Sequence, residues 1–164
     1  MTLAYPAARG FDWKSALAAA AIVVAAMGLG QIATMPNLPW YETLNKPSFT
    51  PPDWVFGPVW TVLYVLMGYL FFRIARLPSN VEGRNAALVA FAVLMAVNVG
   101  WSYAFFGAHS PTLGLADIVA QALALAATIA LFGRIDGAAA AGFLPVAAWV
   151  AFAGALNYEI WRLN

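Results

Sequence analysis

Five stretches of about 20 mostly apolar residues, set apart by prolines, glycines and the few charges, constrain this chain more than any other feature. A helix needs that length to cross the hydrocarbon of a bilayer, where its backbone must satisfy its own hydrogen bonds. The stretches fall at residues 13–35, 53–76, 85–106, 111–132 and 140–162. Pro36 and Pro39 end the first, Pro51-Pro52 precede the second, and Ser110-Pro111 makes an N-cap followed by a first-turn proline for the fourth. Composition agrees: 63% of residues are hydrophobic and 9% charged, with a mean hydropathy of +0.78. A soluble domain carries about 25% charged residues. The expectation is an all-α membrane protein, a bundle of five transmembrane helices forming one domain over 1–164.

Short links make successive helices antiparallel neighbours. Residues 36–52 are the exception, rich in proline and aromatics and without a helical period, and they read as a lid loop. The first apolar run is too long for the h-region of a cleaved signal and reads as a retained helix. Arg9, Lys14, Arg73, Arg76, Arg84 and Arg134 fall on one side of the bundle, and Lys46 and Arg162 on the other. That imbalance places the N-terminus in the cytoplasm. The alanine-rich composition leans towards a bacterial cell membrane.

Several chemistries lack their parts. A net charge of +1 gives no nucleic-acid footprint. With no cysteine and a single histidine, His109, neither a metal ligand set nor a nucleophile–base pair can be assembled. Asp117 is the one clearly intramembrane carboxylate, which argues against a proton relay. Gln121 lies one turn further along the same helix, and the two are expected to bond to each other or to neighbouring helices. Ala92, Ala96, Gly100 and Ala104 repeat at four-residue spacing and suggest a homodimer face, against the alternative that they pack within the monomer.

The aromatic residues are the main positive signal. Trp13, Trp40, Trp54 and Trp161 sit at span ends, as an interfacial belt requires. Phe56, Trp60 and Tyr64 share one face of the second helix; Asn98, Trp101 and Phe105 share one face of the third. Trp149, Ala153 and Leu156 do so on the fifth. Converging, these faces would wall an apolar cavity with a few polar anchors; the alternative is ordinary aromatic packing between helices. Leu156, Tyr158 and Arg162 also fit a short pattern proposed for sterol contact.

The run from Trp40 to Pro52 (WYETLNKPSFTPP), followed by Val55-Phe56-Gly57-Pro58-Val59-Trp60-Thr61-Val62-Leu63-Tyr64, resembles the translocator protein family. The family is also known as TspO/MBR, tryptophan-rich sensory proteins or peripheral benzodiazepine receptors. Asn98, Trp101-Ser102, Phe105-Phe106, Leu144-Pro145, Trp149, Phe152-Ala153, Leu156-Asn157 and the ending Trp161-Arg162-Leu163-Asn164 extend the resemblance over all five helices. It implies a five-helix bundle, commonly homodimeric. It also implies ligands of three kinds: porphyrins such as protoporphyrin IX and haem, sterols, and isoquinoline carboxamide or benzodiazepine compounds. Carried onto matching positions, the pocket walls are Tyr41, Pro51, Phe56, Trp60, Tyr64, Asn98, Trp101, Trp149, Ala153 and Leu156, and the sterol segment is Leu156, Tyr158 and Arg162. No cofactor is required; porphyrin or haem enters as ligand. Two departures bear on ligand preference: the usual Pro-Tyr of the fifth helix is Pro145-Val146, and the first helix brings the polar Gln31 near the pocket. The resemblance implies a porphyrin-binding receptor or transporter with a stress or tetrapyrrole-regulatory role. Alternatives are light-dependent porphyrin breakdown with Trp60 and Trp149 as the redox-active indoles, and regulation through a protein partner.

Overall fold

The computed structural model describes residues 12–164. Arg9, one of the charges used for orientation, lies outside them. Helix α1 (Trp13–Thr34) starts on the N-cap Asp12, whose carboxylate accepts hydrogen bonds from the Lys14 and Ser15 N–H groups and from the Ser15 hydroxyl. That hydroxyl bond, 2.6 Å long, is the main reason the Asp12 carboxyl is held below its ordinary pKa. A 3₁₀ turn, Met35–Asn37, leads into the short α2 (Leu38–Glu42). Helix α3 (Phe56–Ala75) follows a second 3₁₀ turn, Asp53–Val55. Helix α4 (Arg84–Ser102) runs into one wide π-helical turn, Tyr103–Gly107. Helix α5 (Pro111–Gly133) has Ser110 as its cap, α6 (Gly137–Ala141) is a single turn capped by Asp136, and α7 (Leu144–Leu163) ends the chain.

Among the described residues the long elements form five apolar spans, each of at least 23 residues with its adjoining turns. The protein is therefore a five-helix transmembrane bundle. Two expectations need correction. The lid is not without helix: Pro36 and Pro39 each stand at the first positions of a short helix, where a missing N–H costs nothing. The fifth span is interrupted between α6 and α7 at Gly142 and Phe143, where a Cβ on Gly142 would come within 2.6 Å of Leu70 Cδ2.

Packing is densest at the end of the bundle away from α2. There Phe91, Phe132 and Phe143 are wholly buried and pack against one another, tilted or edge to face, with ring centroids 5.2 to 6.4 Å apart. Gly68 of α3 faces Val23 of α1, whose methyl would stand 3.4 Å from a Cβ placed there, an ordinary contact. Arg73 crosses from α3 to the α5–α6 link, pairing with Asp136 at 2.6 Å. Burial alone would raise the Asp136 pKa, but the Ala139 N–H and the Arg73 guanidinium outweigh it and hold the carboxyl below its ordinary value.

Candidate functional site

At the opposite end the helices splay around a cavity of about 320 Å³. The floor is made by Met27 of α1, Tyr64 of α3, Asn98 of α4, and Gln121 and Val150 of α5 and α7, which lie about one to four turns in from the helix ends on that side. Its walls carry the indoles of Trp60, Trp101 and Trp149 together with Phe56, Ala153 and Leu156, and Tyr41 hangs from α2 at the top. Gly57 and Thr61 of α3 and Gln31 of α1 line the cavity and are also exposed. The hollow therefore opens sideways, between α1 and α3.

Rings pack edge to face along the wall. Trp149 meets Phe56 at 6.0 Å and Trp60 at 6.5 Å, the latter with planes 89° apart. Trp101 stacks on Phe105 at 5.0 Å. Adjacent Phe105 and Phe106 are both buried, an inward pair at the π-helical turn. Such turns recur at functional sites.

Two hydrogen-bonded arrangements anchor the cavity. Tyr64 donates its hydroxyl proton to Asn98 Oδ1. Trp101 Nε1 donates to Asn157 Oδ1 at 3.1 Å, while Asn157 Nδ2 donates to the Pro111 carbonyl at 2.8 Å and so ties α7 to the start of α5. Gly114 makes room for this tie, since a Cβ there would lie 2.5 Å from Asn157 Oδ1. Gln121 is 4% exposed and hydrogen-bonds to none of the described residues. The bond expected between Gln121 and Asp117 is not formed: Asp117 Oδ2 is buried without a partner, while Oδ1 lies against Gly100 of α4.

The cap is fastened on three sides. Trp40 lies flat on His109, rings 4.6 Å apart, and edge-on to Phe105 at 5.4 Å. His109 Nε2 sits 2.8 Å from Asn37 Oδ1. Asn45 and Asn164 clasp each other through backbone and side chain, at 2.9 and 3.0 Å. Lys46 lies over the Tyr41 ring at 4.5 Å.

Nine of the ten residues expected in the pocket wall line the cavity; Pro51 stands outside it. Sequence reasoning overlooked Glu42, Asp53, Gln121 and Asn157 as lining groups. The intramembrane position of Gln121 and Asn157 was the available signal. The sterol segment divides: Leu156 is buried at the cavity, Tyr158 is exposed on the outer surface, and Arg162 pairs with Glu159 at 2.7 Å. The small-residue stripe divides too. A step of four residues drifts by about 40° per turn, so Ala92 and Ala96 are exposed while Gly100 turns inward, where a Cβ would lie 3.0 Å from Asp117. No group of acidic or histidine side chains among the described residues could hold a metal ion.

The TspO/MBR family model matches residues 17–162. The chain is 40% identical over 125 residues to the tryptophan-rich protein TspO of Chlorobaculum tepidum, covering 76% of this chain and 79% of that one. It is 35% identical over 150 residues to the TspO of Archaeoglobus fulgidus, covering 90% and 96%. With the human translocator protein it shares 38% over 129 residues, covering 78% and 76%. The aromatic wall, the capped five-helix bundle and this match over nearly the whole length agree: the chain belongs to the TspO/MBR family.

Proposed function

We propose that this membrane protein binds flat conjugated ligands of the porphyrin type, protoporphyrin IX or haem, in the cavity beneath α2, as a receptor or carrier in tetrapyrrole regulation. One observation carries the reading: indoles from three helices, Trp60, Trp101 and Trp149, face a single hollow. Stacking and apolar burial there supply affinity with little loss of side-chain entropy. The sideways opening between α1 and α3 suits ligands that partition into lipid. In this reading the end away from the cap lies in the cytoplasm of a bacterial cell, an orientation that its Lys14, Arg73, Arg76, Arg84 and Arg134 support under the positive-inside rule. A sterol would lie against the outer surface of α7 near Tyr158. A homodimer would use the exposed Ala92 and Ala96.

A second reading rests on the perpendicular Trp60–Trp149 pair. Indoles so placed beside an excited macrocycle would support its light-dependent oxidation by dioxygen, with no acid–base pair needed.

Titrating the purified protein with protoporphyrin IX in the dark should quench tryptophan fluorescence saturably, and Trp60→Phe with Trp149→Phe should reduce the quenching. Non-saturable quenching in the wild type would remove the first reading. Illuminating the same samples separates the second: its product should vanish in the double variant while porphyrin is still bound.

A further inference from the structure

Gln121 is a deeply buried polar side chain lining the cavity whose polarity has no structural explanation. It comes from α5 at the level of Tyr64 and Asn98, about 15 Å from the α5 start at 1.5 Å per residue. It is 96% removed from solvent, being 4% exposed. Its amide has no hydrogen-bond partner among the described residues, yet neither amide atom is fully enclosed, in contrast to Asp117 Oδ2 and Trp149 Nε1. The accessible part of the amide therefore faces the hollow that the residue lines. Its polar neighbours Tyr64 and Asn98 are engaged with each other, as are Trp101 and Asn157, while the Trp149 Nε1 is enclosed without a partner.

An unsatisfied amide in the middle of a membrane protein is unfavourable, and leucine would fill the same volume without that penalty. The charge of the lining narrows what could satisfy it. Among the described residues the cavity is lined by no Lys, Arg or His, and its two ionisable acids, Glu42 and Asp53, are exposed at the cap end. A carboxylate driven to the floor would lose its hydration and meet no positive charge. A neutral carbonyl or hydroxyl would meet a donor and an acceptor in the Gln121 amide.

We propose that Gln121 is a specificity-determining residue that hydrogen-bonds a neutral carbonyl or hydroxyl on the inward end of the ligand, so that any carboxylates of that ligand stay at the cap end. This deepens the cavity reading above and rests on it. It assigns the floor to neutral polar groups and leaves the walls to stack on the flat body.

The test compares two probes on wild-type protein in detergent, both followed by tryptophan quenching: an isoquinoline carboxamide, which carries a neutral carbonyl, and pyrene, which carries no hydrogen-bonding group. Gln121→Leu should weaken the carboxamide about tenfold, the cost of one buried hydrogen bond. It should leave pyrene unchanged or bind it more tightly, and thermal stability without ligand should hold or rise. Gln121→Met, closer in shape, should give the same inversion and serves if the leucine variant folds poorly. Equal changes for both probes in both variants would overturn the proposal while leaving the cavity reading intact. Failure of the carboxamide to bind wild-type protein that binds protoporphyrin IX saturably would overturn the proposal alone, whereas failure of protoporphyrin IX to bind would remove the cavity reading with it.

Discussion

The two ends of this bundle use the same kinds of side chain for opposite purposes. Away from the cap, Phe91, Phe132 and Phe143 interlock with Met67 and Ile74, and none of the five is more than 1% exposed. Under the cap, rings of similar or larger size stand around a hollow. Glycines mark the contrast. Gly142, at the solid end, is filled by Leu70 of a neighbouring helix, whereas a Cβ on Gly57, at the mouth of the cavity, would meet nothing within 4 Å; Gly114, where α5 is tied to α7, is the close approach that the cavity end keeps. In lipid the helices gain little from hydrophobic exclusion, so stability depends on close packing. The solid end is placed to supply that packing, and the hollow end gives part of it up for space.

Substitutions should separate the ends most sharply where rings are lost. Phe91→Ala opens a void that its wholly buried neighbours cannot collapse into, and should cost about 3–5 kcal/mol. Trp60→Ala enlarges a space that already exists and should cost less than half of that, while reducing porphyrin quenching strongly. Thermal unfolding in one detergent, alongside the quenching titration, reads both quantities. Equal losses of stability would break the division into a packing end and a binding end.

Much of this division was legible in the sequence, and the exceptions have physical causes. Span limits followed from prolines and caps, and each described boundary lies within a few residues of the expected one. The indole faces followed from i, i+4 spacing, which fixes where side chains point once a helix is granted. The short α2 was missed because Pro39 was read as a breaker, although at the first turn proline fits a helix. The sequence leaves the small-residue stripe open between a dimer face and packing within the monomer, because four-residue spacing reads as a straight stripe, whereas the helix repeats every 3.6 residues and turns Gly100 inward. Gln121 escaped because a polar residue one turn from Asp117 suggested a local bond, and only the packed helices show that each faces elsewhere.

The end away from the cap also carries a polar fastening, the Arg73–Asp136 pair, with Asp136 capping α6 as well. Asp136→Ala loses cap and pair together and should cost about 1–2 kcal/mol. Asp136→Asn keeps much of the cap and isolates the charge. Because the folded carboxyl titrates below its ordinary 3.8, its contribution is present above that pH and is lost as pH falls through the lower folded value. The wild type should therefore exceed the asparagine variant in stability at neutral pH, and the gap should close only below about pH 3.8. A gap that persisted into strong acid would mean that the guanidinium is held by something other than this charge.

The smallest effect is expected on the outer surface of α7, where it sharpens the comparison by adding a third environment. Arg162 and Glu159 pair one turn apart on a surface where the arginine side chain is 56% exposed. Such a pair is worth about 0.5 kcal/mol or less, so Arg162→Ala should barely move the unfolding temperature. Leu156→Ala, six residues earlier but facing the hollow, should alter porphyrin quenching, and Arg162→Ala should not, because the two side chains lie on different surfaces of one helix. If Arg162→Ala weakened porphyrin binding as much as Leu156→Ala, the ligand would have to span from the hollow to the lipid face of α7. The wall between those environments would then belong to the binding surface rather than dividing it.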